Sequence, residues 1–194
     1  MPPATSGTRE ARRVIAAASL GLAAVLVLAA LLLRKLTYQS EPLFSRDHLL
    51  LRIGTGVVIG ASLAATNALI VSRLSFFARV RRLAYHAVEG IEPRWHTMVV
   101  VALSAGIGEE FFFRGAIDPV IGRWFTALGF VILHGAIRIR DRNGLLFAAF
   151  LYASSMGLSA LNAWQGLEAA IASHACYDLV MLLWMVHGAA LSRR

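Results

Sequence analysis

Charge is what this sequence has least of. Only 15% of its 194 residues are Asp, Glu, Lys or Arg, where soluble domains carry about a quarter. With 58% apolar residues and a mean hydropathy of +0.65, the composition excludes an ordinary soluble domain and indicates an integral membrane protein. Cysteine is nearly absent. Cys176 alone can make no intramolecular disulfide and no cysteine cluster for zinc or iron–sulfur. His-Glu-x-x-His, internal repeats, low-complexity tracts and a soluble domain are missing altogether. Lysine is reduced to Lys35 among 19 basic residues, and this preference for arginine points to a GC-rich, bacterial source. The formal charge of +8 has no soluble basic face to sit on. The arginines fall between hydrophobic runs, the pattern of membrane topology rather than of nucleic-acid binding.

What is there is a series of apolar runs. Val14–Leu33 is uninterrupted by charge and long enough to span about 30 Å. It ends in Arg34-Lys35 without a small-residue cleavage pattern, so it reads as an anchor rather than an export signal. Leu36–Arg52 is a polar loop. Ile53–Val71, rich in Gly and Ala, is a second span suited to close helix contact. Arg73–Arg94 interleaves arginines with an apolar stripe (Leu74, Phe77, Val80, Ala84, Val88), as either an interfacial helix or a positively charged loop would. Trp95–Phe113 is a third span, Gly115–Arg123 a turn, and Trp124–Ile139 a shorter run. Arg138–Asn143 is a charged loop; Leu145–Ala163 and Gly166–Trp184 complete the set. The expected fold is an all-α polytopic bundle of about six transmembrane helices with a basic interfacial helix. It divides into two spans plus a basic segment (1–94) and a helical core (95–194). With the amino terminus inside, 13 of the 19 basic residues fall on the cytoplasmic side, so both termini are expected there, in a bacterial inner membrane.

Ionisable groups inside such spans are costly and need a partner or a function. Ser104-Ala-Gly-Ile-Gly-Glu-Glu-Phe-Phe-Phe-Arg-Gly115 places Glu109 and Glu110 at the end of an apolar run. Glu110 and Arg114, four apart, share a helix face and can neutralise each other. Glu109 lies about 100° round the helix, without a local cation. Either it reaches water at a helix end, or it serves as an acid or base. His134 shares a face with Phe130, and His174 with Asp178, each pair being four apart. A lone intramembrane histidine is more often structural. Two of them, with a carboxylate partner and an unpaired Glu109, point to a functional cluster.

Glu-Glu-x-x-x-Arg (Glu109, Glu110, Arg114), Phe-x-x-x-His (Phe130, His134) and His-x-x-x-Asp (His174, Asp178) together resemble the CPBP family. That family comprises intramembrane proteases, including CAAX prenyl endopeptidases and the bacteriocin-processing and immunity (Abi) proteins. The resemblance covers roughly Met98 to Trp184 and is carried most specifically by the first motif. It implies peptide-bond hydrolysis by a water that Glu109 activates and His134 shares. His174 and Asp178 would then stabilise the oxyanion, with Glu110 and Arg114 bracing the site. Asp178 departs from the Asn that often ends the third motif; it orients His174 or acts protonated. A metal-free site is favoured, the alternative being zinc on Glu109, His134 and His174.

The expected substrate is a lipidated or hydrophobic-tail protein or peptide reached from the bilayer. Two other readings compete. A non-proteolytic immunity or scaffold protein binding a membrane partner would have no need for three costly intramembrane groups. A small proton-coupled transporter would be expected to show repeat symmetry, which the sequence lacks.

Overall fold

The computed structural model describes residues 6–44, 47–73, 77–88, 94–135 and 142–192. Within them lie helices α1 (Ser6–Leu36), α2 (Leu49–Arg73), α3 (Ala78–Val88), α4 (Trp95–Phe112), α5 (Asp118–Leu133), α6 (Arg142–Gln165) and α7 (Leu167–Ser192). A π-helical turn, Phe113–Ile117, joins α4 to α5. No strand occurs among the described residues, so the all-α class is as the sequence indicates.

Among the described residues, five helical stretches are long and apolar enough to cross a membrane, where about six were expected. The difference lies between residues 95 and 133. The expected turn at Gly115–Arg123 is helical except at Gly122, because the π-turn runs straight into α5. The chain nevertheless reverses there. On a straight helix residues 109 and 134 would be roughly 38 Å apart, yet His134 Nε2 lies 3.5 Å from Glu109 Oε2. The break is Gly122, at φ 78° and ψ 157°. That left-handed φ is open to glycine and strained for other residues. The legs on either side of Gly122, to Glu109 and to His134, are each roughly 18–20 Å long, so they match. The expected third span and fourth run are thus two legs of one helical hairpin. The run also stops short of Ile139: Gly135, at φ 61°, ends α5 with His134 as its cap. Residues 136–141, which hold most of the expected charged loop, lie outside the described residues, and α6 starts at Arg142.

The bundle is held by small residues. Its buried set includes Ala30, Ala64, Ala102, Ala127, Ala169 and Ala170, while Leu20, Leu22, Val25, Leu28 and Val58 face outward. Large apolar groups outside and small ones inside suit a lipid environment, where close backbone approach replaces the hydrophobic drive between helices. α2 lies along α7 and α1 along α4. A Cβ at Gly60 would run into the Ser173 carbonyl, and one at Gly108 would come within 2.7 Å of Ala23 Cα. Gly108, directly before Glu109, is therefore a contact point, not a hinge.

The Arg73–Arg94 segment does form a helix, α3, over Ala78–Val88; residues 74–76 and 89–93 lie outside the described residues. Arg81 donates to the Val71 and Ser72 carbonyls at 2.8 and 3.1 Å, capping the end of α2. Tyr85 packs on Trp184 of α7 at 5.4 Å between ring centroids.

Replacing Gly60 by Val should lower stability by about 1–3 kcal/mol through overpacking against α7. Gly54→Ala, on the same helix but with open space at its Cβ, should not. Thermal unfolding of both variants in detergent checks this.

Candidate active site

Glu110 and Arg114 sit one helical turn apart and are sealed from solvent. Arg114 Nη1 donates to Glu110 Oε1 at 3.1 Å, as the i,i+4 spacing predicts. Its Nη2 reaches across to α6 and donates to Ser155 twice, to the carbonyl at 2.8 Å and to Oγ at 2.7 Å. The guanidinium also lies 5.3 Å from the Phe130 ring centroid, within cation–π range. A buried charge needs this many partners to be tolerated.

The same Glu110 oxygen accepts a second hydrogen bond, from His174 Nδ1 at 2.7 Å. Glu110 is therefore more than a brace for Arg114. It fixes the tautomer and ring orientation of His174, which turns Nε2 toward Glu109 Oε2 at 4.0 Å and toward Asp178 Oδ2 at 3.6 Å. His134 is oriented by a different device. As the cap of α5 it donates Nδ1–H to the Phe130 carbonyl at 2.8 Å and stacks on the Phe130 ring at 4.1 Å. Its Nε2 is thereby aimed at Glu109 Oε2, 3.5 Å away.

All five residues expected at the site, Glu109, Glu110, His134, His174 and Asp178, meet in one cluster, with Arg114 and Phe130 directly behind them. The arrangement has a definite chemical character. With both Nδ1 atoms committed, each imidazole turns its Nε2 toward a carboxylate oxygen. Glu109 Oε2 itself is buried and has no hydrogen-bond partner. The Nε2 atoms of the two rings face Glu109 Oε2 at 3.5 and 4.0 Å, wider than a direct hydrogen bond. Among the described residues, no group of three or more His, Cys, Asp and Glu side chains is arranged to hold a metal ion.

The cluster opens into a cavity of about 810 Å³. α7 forms its floor, with Tyr177 beside His174 and Asp178; Ile59 and Leu63 of α2 form one wall, and Phe147, Leu151 and Trp164 of α6 are among those forming the other. Sequence reasoning missed Ser155 and Tyr177. Ser155 belongs to a Ser154-Ser155 pair inside an apolar span, and a polar pair at that depth is a signal for interhelical hydrogen bonding. Tyr177 accepts a 2.7 Å hydrogen bond from Asn67 of α2. Asn67 is the one amide side chain in its span and carries the same signal.

Residues 91–180, a little under half of the chain, match the family model described as type II CAAX prenyl endopeptidase Rce1-like. Over those residues the chain is similar to the CAAX proteases of the CPBP family. The match contains the whole cluster and excludes α1 and α2. In general class, the CPBP match supports a CAAX-type intramembrane protease embedded in the bilayer and acting on a membrane-associated substrate. No curated protein and no solved structure matches the chain.

Arg114→Met should destabilise the protein by about 3–5 kcal/mol, because it strands Glu110 in the interior. Adding Glu110→Gln should recover part of that loss. A denaturant or thermal series on the two single variants and the double variant measures the coupling.

Proposed function

We propose that this chain hydrolyses a peptide bond in a lipidated or hydrophobic-tail protein, using a water activated by Glu109. The observation that carries the reading is Glu109 Oε2, buried without a hydrogen-bond partner and faced by His134 Nε2 at 3.5 Å, an arrangement that suits a water as the missing donor. A water between Glu109 and His134 would donate to both, and Glu109 is the group placed to take its proton as the oxygen attacks the carbonyl carbon. His174, held through Nδ1 by Glu110, presents Nε2 to the opposite side of the scissile carbonyl. Protonated at both nitrogens it would donate to the developing oxyanion. Asp178 as a carboxylic acid would do the same, which is the role of the Asn amide often found at the end of this motif. Protonated Glu109 then returns its proton to the leaving amine, so the step balances with water as its only co-substrate.

The cavity supports the substrate class. Its walls are mainly apolar, and α2 and α6 both pack on α7 while scarcely touching each other among the described residues. A chain entering sideways from the bilayer between them would meet the cluster without crossing the bundle. In this reading 95–194 is the catalytic core, 1–94 frames it, and the protein sits in a bacterial inner membrane with both termini in the cytoplasm.

Glu109→Gln should abolish single-turnover cleavage of lipidated and hydrophobic-tail peptides by the purified protein. His134→Ala should slow it by roughly 10²–10⁴-fold, the usual contribution of a positioned acid or base. Chelator should leave wild-type cleavage unchanged. Loss with chelator and recovery with zinc would instead assign Glu109, His134 and His174 as metal ligands. Cleavage that survives both substitutions would remove the site assignment and favour a scaffold or immunity role.

A further inference from the structure

The π-turn between α4 and α5 has a cause in the sequence. Pro119 carries no N–H, so the donor that an α-helix would offer to the Gly115 carbonyl, four residues earlier, does not exist. The hydrogen-bond register widens at this point, and the Asp118 N–H bonds to the Phe113 carbonyl, five residues back. A turn of this kind leaves backbone acceptors that must be satisfied from elsewhere.

They are satisfied by the end of α1 and the segment after it. Arg34 Nη1 donates to the Gly115 carbonyl at 2.7 Å, and Gln39 Nε2 donates to the Ala116 carbonyl at 3.0 Å. Arg34 is itself fixed by donation to Gln39 Oε1 at 3.1 Å and to the Glu41 carbonyl. α1 stops there because Tyr38 takes a left-handed φ of 55°, which turns Gln39 back toward the bundle. Further along, Leu43 lies over Gly115, where an added Cβ would come 3.0 Å from its Cδ2. Phe44 then packs edge-on against Phe111 at 5.4 Å. Residues 34–44 thus cross the catalytic motif from Phe111 to Ala116, and all of them lie outside the segment that matches the family.

We propose that residues 34–44 are a strap that sets the geometry of the site, with Arg34 and Gln39 as positioning residues. This rests on the catalytic reading of Glu109 and His134. The lever is the π-turn. Closing it to an α-turn would shift everything after it by one residue, about 100° around the axis. The α5 leg, and His134 at its tip, would swing away from Glu109. By supplying the donor that Pro119 lacks, Arg34 holds the turn in the register that brings the two together.

The test compares wild type, Arg34→Met, Arg34→Lys and Gln39→Leu in detergent, on a hydrophobic-tail peptide that wild type cleaves. Arg34→Met should lower kcat by roughly 10–100-fold, the scale of an ångström-sized misplacement of a reacting group, with KM little changed. Arg34→Lys, which keeps one donor, should recover part of it. Hydrogen exchange should quicken in the peptide covering 111–118 and stay unchanged in α6 and α7. Unchanged exchange at 111–118 overturns the strap, and so does faster exchange with kcat intact. If Arg34→Met does not fold, Gln39→Leu is read by the same criteria. If wild type cleaves no peptide, the catalytic reading is what fails, while exchange at 111–118 still decides whether the strap holds the turn.

Discussion

One carboxylate oxygen organises this protein. Glu110 Oε1 receives Arg114 from its own helix and His174 from α7, and Arg114 continues to Ser155 on α6. Three elements that would otherwise be joined only by van der Waals packing are tied at a point sealed from water. Each charge here would be prohibitive alone; together they are tolerable because Glu110 Oε1 and both Arg114 Nη atoms are hydrogen-bonded, with Glu110 Oε2 and Arg114 Nε left without a partner. The arrangement separates two adjacent glutamates into different environments. Glu110 is consumed by structure. Glu109, one residue earlier, is left with its Oε2 unbonded and facing two imidazoles.

The remaining architecture serves that separation. Small residues let α1 and α2 press against α4 and α7 closely enough to hold the two helices that carry Glu109, Glu110, His174 and Asp178. The hairpin about Gly122 returns His134 to the level of Glu109 over two short helical legs. The gap left between α2 and α6 gives the cluster a mainly apolar approach.

Much of this was legible in the residues. Apolar run lengths gave the spans, and three four-residue spacings gave the pairs Glu110–Arg114, Phe130–His134 and His174–Asp178, all of which meet as the helical period requires. In Gly115–Arg123, Gly, Asp-Pro and Gly within nine residues spell a turn by local chemistry. The chain does reverse there, but through a π-turn and a single glycine, with helical hydrogen bonding kept on both sides. The partners of Ser155, Asn67 and Arg34 were not legible for a common reason. Each acts across 41 or more residues of sequence, on a backbone or side-chain group that no periodicity links to it.

The central claim is that Glu109 directs a water molecule and does not itself attack the carbonyl. A single turnover in ¹⁸O-enriched water, with enzyme in excess over peptide, separates the two directly. The account predicts that the new carboxylate of the first product carries the heavy oxygen and that Glu109 remains unlabelled. An unlabelled first product, with the label appearing in the Glu109 side chain, would contradict it and make Glu109 a covalent nucleophile.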